Sequence, residues 1–566
     1  MPRTMTFVPK LFTTLKGYTR AQFIGDLTAG VIVAVVALPL SIAFAIASGV
    51  TPDRGLVTAI VAGFLISALG GSRVQIGGPT GAFVVIVAGI VARYGVDGLL
   101  VATAMAGVLL VVLGVMKLGS VIKFVPQPVI IGFTSGIAII IFSSQIKDAF
   151  GLAMPAVPAE FFDRWQAYAV HFGSVSAPAT AITVATLLIL NLWPRVSLKV
   201  PAPFVALVAT TLAVQLLQLP VETIGSRFGD VGGGLPTPRL PHVTMAMVRD
   251  LAGPAFTIAL LAAIESLLSA VVADGMVGGR HRSNMELVAQ GVANIASPLF
   301  GGIPATGAIA RTATNVKSGG RTPVAGITHA VVLLLITLFV GHLAARIPMA
   351  TLAGILIMVA YHMSEWRNFR SQLRAPRSDV LILISTFLLT VIVDLTVALQ
   401  VGMVLSAFLF MKRMAEVTQV QAITTQLDDD SEELDDKSIA TRIIPKGVEV
   451  YEIDGPFFFG AAERFKEALG EMGRRPKVLV IRLRHVPAID ATGLTLLREL
   501  HERSRRNGTQ LLLSGLQAQP RQALDRAGLL AELGEGRVLD DIDQALAAAA
   551  ALVRSTPTPA AGVRIR

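Results

Sequence analysis

Cysteine is absent from the 566 residues, which excludes disulfides, thiolate metal sites and cysteine nucleophiles. Charge is scarce as well: 15% of residues are charged, where a soluble chain of this length carries about 25%. The membrane-like part has no Walker sequence, no cluster with metal-ligand spacing and no nucleophile–base pair. ATP-driven pumping and enzymatic chemistry are therefore set aside, and neither metal nor cofactor is expected. The first apolar run, from Leu27, is too long for the h-region of a signal and no small-residue cleavage motif follows it. What the chain has in excess is apolar surface, with 53% hydrophobic residues and a mean hydropathy of +0.67. The net charge of +10 sits in short loops beside apolar runs, where membrane topology puts it, so no nucleic-acid partner is implied.

Between Asp26 and Lys412, apolar runs follow one another, and fourteen segments emerge: 27–48, 54–70, 80–93, 98–116, 125–143, 175–193, 203–219, 250–273, 285–299, 307–317, 324–342, 350–362, 378–393 and 396–412. The third and tenth are shorter than the roughly 20 apolar residues needed to span a bilayer and read as half-helices. Loops on one side carry most of the Lys and Arg, among them Arg73, Lys117, Lys123, Arg195, Lys199, Arg280, Arg282, Lys317 and Arg321. The positive-inside rule then sets both termini in the cytoplasm. The organisation expected is a cytoplasmic segment 1–25, a transmembrane domain 26–413, an acidic linker 414–438, a small α/β domain 439–553 and a flexible tail 554–566.

Two interruptions of the apolar pattern nearly repeat each other: Gly77-Gly78-Pro79-Thr80-Gly81-Ala82 and Gly301-Gly302-Ile303-Pro304-Ala305-Thr306-Gly307-Ala308. Gly and Pro break helices, and paired broken segments in two halves of a membrane protein point to a binding site. Asp26-Leu27-Thr28-Ala29-Gly30 and Asp250-Leu251-Ala252-Gly253 open the first and eighth segments. Ser41 and Ser266 lie 225 positions apart, and Gly81 and Gly307 lie 226 apart. A duplicated unit of seven segments, about 26–219 and 250–412, follows, and an odd number makes the two copies inverted. Facing half-helix N-termini present unpaired amides and the positive ends of helix dipoles, which suit an anion. The donors expected are the amides of Gly81, Ala82 and Phe83 and of Gly307, Ala308 and Ile309, with hydroxyls from Thr80 and Thr306; the alternative is that these glycines only serve packing.

Two charges stand out inside the apolar part. Arg311, one turn into the second half-helix, either adds positive potential to the anion site, snorkels beside Lys317 or pairs with an acid. Glu265, in Ala-Ala-Ile-Glu-Ser-Leu-Leu-Ser, has three readings: proton uptake, sodium binding with Ser269, or a salt bridge to Arg311. A carboxylate that takes a proton beside an anion site couples the two by avoiding like-charge repulsion.

The stretches Ala263-Ile264-Glu265-Ser266-Leu267-Leu268-Ser269, Arg280-His281-Arg282-Ser283-Asn284-Met285-Glu286-Leu287 and Phe300-Gly301-Gly302-Ile303-Pro304-Ala305-Thr306-Gly307-Ala308-Ile309-Ala310-Arg311-Thr312 resemble the SulP (sulfate permease) family of anion transporters, which includes pendrin and prestin. Leu38-Pro39-Leu40-Ser41-Ile42-Ala43-Phe44-Ala45 is similar to the family's first-helix motif. The resemblance covers nearly the whole chain. It implies a fold of fourteen segments in two inverted repeats. Segments one to four and eight to eleven would form a core, and the rest a gate. The anion would lie between the third and tenth helices, near Ser41 and Phe44, in a homodimer of the bacterial inner membrane that works by alternating access. Sodium-coupled bicarbonate transporters of the family have Asp and Thr where this chain has Glu265 and Ser269, which shifts the coupling expected here toward protons. The cargo implied is a small anion such as sulfate, bicarbonate or a dicarboxylate, with an exchanger or channel as the alternative mode.

After Lys412 the composition changes. An acidic run occupies 428–436, and strands are expected at Val448 to Ile453, Val478 to Leu483 and Gln510 to Leu513, with helices from about Gly460, Ala491 and Gln519. This part resembles the STAS domain that SulP proteins carry. Asp490-Ala491-Thr492-Gly493 matches that fold's loop before a helix, where related antagonists are phosphorylated. Thr492 is thus a regulatory candidate, and Asp and Thr at that place are equally ordinary helix caps.

Overall fold

The computed structural model describes residues 7–120, 125–154, 157–158, 160–197, 200–229, 234–241, 243–417, 419–423, 443–470 and 476–555. Lys123, Lys199, the acidic run 428–436 and the tail from 556 lie outside them. The chain divides into two compact units, residues 1–406 and 407–566.

The first unit is helical. Its principal helices are α1 (Arg20–Ala47), α2 (Pro52–Leu69), α3 (Gly81–Val115), α4 (Gln127–Ser144), α5 (Ala177–Val196), α6 (Ala202–Leu216), α7 (Met245–Val277), α8 (Ser283–Leu299), α9 (Ile309–Lys317), α10 (Pro323–Val340), α11 (Met349–Met363), α12 (Arg377–Ile392) and α13 (Leu395–Val417), the last running on into the second unit. Each expected apolar segment falls on one of them. The third and fourth segments share α3, which is broken at Gly95, where φ is 68° and ψ is −174°. Only glycine adopts that conformation without strain. The break leaves a first piece from Gly81 of about 21 Å, and α9 is about 13 Å long, both shorter than the ~30 Å hydrocarbon core.

Caps explain several helix starts. Thr19 and Gln22 form a capping box before α1, and Thr244 accepts from the Met247 amide at the start of α7. Among the described residues, eight helices are long and apolar enough to cross a membrane. Packing sorts the helices into two groups: α1–α3 with α7–α10, and α4–α6 with α11 and α12. A methyl at Gly402 of α13 would press on Thr386 and Val129, which joins α13 to the second group. These are the expected core and gate. In the core, α3 and α8 cross in backbone contact, since a methyl at Gly107 or at Gly291 would lie 2.7 or 2.6 Å from the other's carbonyl oxygen.

The second unit carries a five-stranded sheet in the order β3 (Gln419–Ile423), β4 (Val448–Asp454), β5 (Val478–His485), β6 (Gln510–Ser514) and β7 (Val538–Leu539). β4 to β7 are parallel and β3 is antiparallel to β4. Helices α14 (Phe459–Gly470), α15 (Ala491–Arg506), α16 (Ala518–Arg526) and α17 (Ile542–Ser555) accompany it. Tyr451, Phe457, Phe465, Leu483 and Leu497 belong to one apolar cluster of this unit, and Val450, Val480, Leu512, Ile542 and Ala545 to another. Residues 414–417 and 419–423, expected to begin the linker, instead complete α13 and form β3. Gln-Val-Gln-Ala-Ile alternates over too few residues to be read by period, and pairing with Val450–Asp454 supplies its hydrogen bonds.

Candidate functional site

The two sequence interruptions meet. Gly77–Gly78 (β1) pairs antiparallel with Thr306–Gly307 (β2), with Gly77 opposite Gly307 and Gly78 opposite Thr306. Backbone freed from the helices at membrane depth is thereby satisfied within the protein, as it must be where no water reaches it. α3 then starts at Gly81 and α9 at Ile309.

One stripe of α7 holds both breaks. Thr306 Oγ1 donates to the Ala262 carbonyl (2.8 Å), and Thr80 Oγ1 donates to Glu265 Oε2 (3.0 Å). Gln75 Nε2 donates to the Ser266 carbonyl (3.2 Å), and Ser269 Oγ donates to Thr312 Oγ1 (3.2 Å). Residues 262, 265, 266 and 269 are spaced i, i+3, i+4 and i+7, one face of a helix. Thr312 Oγ1 also accepts from the Ile76 amide at 3.0 Å, tying α9 to the first break.

Further bonds lock the loops leading into the breaks. Asn294 Oδ1 accepts from the Ala305 amide (2.9 Å), and its Nδ2 donates to the Ala305 carbonyl (2.8 Å). Arg54, near the start of α2, donates to the Gly301 carbonyl at 2.7 Å. Near the start of α8, the Arg282 amide donates to the Gly71 carbonyl (2.9 Å), and Glu286 accepts from the amides of Gly71 (2.8 Å) and Ser72 (3.1 Å). The second helix of each half thus clamps the loop of the other, as an inverted duplication requires.

Several expected donors are engaged otherwise. Ala308 is the residue before α9, and its amide donates to the Ile76 carbonyl at 2.8 Å. Gly307 lies in β2, so the first-turn amides of α9 are those of Ile309, Ala310 and Arg311. α3 thus begins at Gly81 itself, whereas α9 begins two residues after Gly307. The Phe83 amide turns back to the Thr80 carbonyl at 3.2 Å, while those of Gly81 and Ala82 precede the first bond within α3. The Thr80 and Thr306 hydroxyls are spent on Glu265 and Ala262. A methyl at Gly307 would lie 1.6 Å from Gln75 Nε2, so this glycine serves close packing. At Gly81 a methyl would meet Met363 Sδ at 2.8 Å and Phe44 Cε1 at 3.3 Å, so Phe44 lies against the start of α3. Ser41 is fully buried on α1, and its Oγ has no hydrogen-bond partner.

Arg311 neither snorkels nor pairs with an acid. It is 1% exposed, and no ion pair involving it occurs among the described residues. Its Nη2 donates to the Pro79 carbonyl of the first break, and its Nη1 has no partner. Ser269 Oγ, on the same face of α7 as Glu265, donates to Thr312. Glu265 retains partial exposure, whereas Ile264, Ser266 and Leu267 beside it are buried, and Ile309 at the start of α9 is 42% exposed. The carboxylate and the second half-helix therefore border an opening in the core. Gln75, Asn294 and Thr312 are essential to this arrangement and were not among the expected site residues. Thr312 closes one of the family-like stretches, and Gln75 showed in the sequence only as a polar residue beside apolar runs.

In the second unit, Asp490 caps α15 by accepting from the Gly493 amide (2.8 Å) and also accepts from the Phe459 amide (3.1 Å). Thr492, in the first turn, is exposed.

Broken half-helices joined through a two-residue ladder, in a helical unit followed by a parallel sheet, define a polytopic inverted-repeat membrane transporter with a soluble α/β domain. Residues 23–386 match the Sulfate permease family, and residues 440–545 match the STAS domain. The chain belongs to the sulfate permease family of anion transporters. It is 42% identical to a Bacillus subtilis protein named "Putative sulfate transporter YvdB", over 94% of this chain and 98% of that one. It is 31% identical to the bicarbonate transporter BicA of Picosynechococcus, over 92% and 94%. Among solved structures, the transmembrane domain of a cyanobacterial BicA is 34% identical, with a TM-score of 0.62, covering 68% of this chain and 98% of that one. Murine Slc26a9 in its inward-facing state shares the fold at 18% identity, with a TM-score of 0.85 over 96% and 94%.

Proposed function

We propose that the protein is a proton-coupled secondary active transporter of small anions that works by alternating access. The observation that carries this reading is the juxtaposition, across one pair of breaks, of a carboxylate and a guanidinium that are not paired with each other. Glu265 is bonded to Thr80 just before α3, and Arg311 Nη1 is buried without a partner. The anion's place is between the starts of α3 and α9, beside Ser41 and Phe44, where the amides of Gly81, Ala82 and Ile309 and the Arg311 guanidinium supply positive potential. Glu265 takes a proton as the anion enters, which removes the repulsion between two negative charges in a poorly solvated cavity. Protons are favoured over sodium because Glu265 and Ser269 stand where the sodium-coupled bicarbonate transporters of the family have Asp and Thr. Sulfate and bicarbonate, the cargoes in the names of the relatives, are the first anions to test. We further propose a homodimer in a bacterial inner membrane, with both termini cytoplasmic.

The test is uptake by the purified protein in proteoliposomes across a panel of anions, with proton and sodium gradients imposed separately. Accumulation driven by the proton gradient and abolished by a protonophore is expected. Glu265→Gln should abolish proton-driven accumulation of singly charged anions while anion exchange persists in part. Unchanged proton coupling in that variant would overturn the assignment of Glu265, and uptake that only follows the anion's own electrochemical gradient would favour a channel.

A further inference from the structure

His329 lies in the middle of α10 and is fully buried. Neither ring nitrogen makes a hydrogen bond of ordinary geometry, although the Gly326 carbonyl lies close enough to act on the ring. A neutral imidazole carries one donor and one acceptor. A buried polar group left unpaired is costly and calls for an explanation. The ring lies behind the first break. The point a methyl on Gly63 would occupy is 3.1 Å from the Gly77 carbonyl oxygen, 3.5 Å from His329 Cε1 and 3.7 Å from His329 Nδ1. Arg311 Nη1 lies at the next residue, 2.6 Å from where a methyl on Gly78 would be. Near the break therefore lie an imidazole with no hydrogen bond of ordinary geometry and a guanidinium whose Nη1 is unpaired.

α1 and α2 pack against α10, and their charged residues in the core are held elsewhere. Asp26 accepts from the Arg321 and Thr322 amides and from the Thr322 hydroxyl, two turns before His329, and Arg54 donates to Gly301. Lys10 is bonded through its amide to Gly70, and His342 and Arg346 lie beyond the far end of α10.

We propose that His329 is a second proton site of the core, filled only when the anion neutralises Arg311, and that it matches the carrier to anions of two negative charges. The inference rests on the roles given above to Arg311 and Glu265. With the cavity empty, Arg311 and the Glu265 carboxylate cancel. Glu286, held by the Gly71 and Ser72 amides and by Gln290, is the same in every state. A singly charged anion entering with a proton on Glu265 leaves the core neutral. A doubly charged anion leaves one negative charge in excess, and moving an unbalanced charge through the membrane core is expensive. A proton on His329 removes that excess, so the loaded and the empty core carry the same net charge. Linkage makes the effect reciprocal: the anion favours the proton on His329, and the proton favours the anion.

The experiment uses the full chain in proteoliposomes with sulfate and succinate as divalent probes and nitrate as a monovalent one. Proton entry is read by a trapped pH dye and the potential is set by a potassium ionophore. Wild type should carry about two protons per sulfate or succinate, with a rate insensitive to membrane potential. His329→Gln should lose one of the two, and its divalent uptake should become slower at inside-negative potential. His329→Asn serves if the first variant does not reach the membrane, and the wild-type stoichiometry decides the matter without either. The proposal is overturned by one proton per divalent anion in wild type, by two protons retained in the His329 variants, or by uptake confined to nitrate. Wild type moving one proton per sulfate, with that proton lost in Glu265→Gln, would sink His329 and leave the proposed function standing. Wild type moving no protons would sink both.

Discussion

At the scale of single residues, the site depends on atoms that approach more closely than side chains normally allow. Gly307 is the clearest case. Adding a methyl displaces Gln75, which holds the first break to the Ser266 carbonyl. Gly307→Ala is expected to lower stability by about 1–3 kcal/mol, the cost of overpacking, and to reduce transport. Gly89, in α3, has nothing within 4 Å of the same added methyl and serves as the control, with little change in thermal midpoint in detergent. Equal effects of the two substitutions would show that Gln75 does not constrain the break. Arg311 was legible in the sequence as an intramembrane charge, but its partner was not. Its bond to Pro79 spans 232 positions of sequence, and no local pattern announces a backbone acceptor that distant.

At the scale of elements, the half-helices are short because their approach is spent on strands and loops that neighbouring helices must satisfy. Asn294 supplies both a donor and an acceptor to Ala305, so the second break depends on α8. Asn294→Ala leaves a buried amide and a buried carbonyl unpaired, at about 1–3 kcal/mol each. The thermal midpoint should fall and anion binding should weaken. Asn294→Asp should recover less than half of the loss, because a carboxylate accepts from the Ala305 amide but has no donor for its carbonyl. Wild-type stability in Asn294→Ala would mean that the break is held by other bonds. The helices themselves were readable, because a run of apolar residues long enough to span is a local property. The pairing of β1 with β2 was not, since two residues carry no period. Nor was the start of α9 at Ile309 rather than Gly307, because Gly307 is taken up by β2.

At the scale of the whole molecule, two units have separate apolar cores. The second includes the Tyr451–Phe465 and Phe457–Phe465 ring contacts and a buried Arg482–Glu452 ion pair at 3.0 Å. A fragment of residues 414–566 is therefore expected to fold alone, with a cooperative thermal transition by circular dichroism. Asp490→Ala in that fragment should cost about 1 kcal/mol, as loss of a helix cap does, and Thr492→Ala close to nothing. A non-cooperative transition would show that the sheet needs the membrane unit. The parallel strands β4 to β6 were visible as apolar runs. The antiparallel edge strand β3 and the final helix α17 were not, the first for its brevity and the second because its alanine-rich composition fits a tail as well as a helix.

Composition, hydropathy and the two Gly-Pro interruptions determined that this chain crosses a membrane and where its helices stop short, and the resemblance of longer stretches such as Ala263–Ser269 pointed to the family. All of these depend on residues near one another in sequence. Tertiary structure decided which polar groups meet: that α7 carries both breaks on one face, that Thr80 rather than Arg311 partners Glu265, and that Arg311 and His329 both lie near Gly77 and Gly78. A hydrogen bond is set by distances of a few tenths of an ångström between segments that are remote in the chain, and only the packing of the helices fixes those distances.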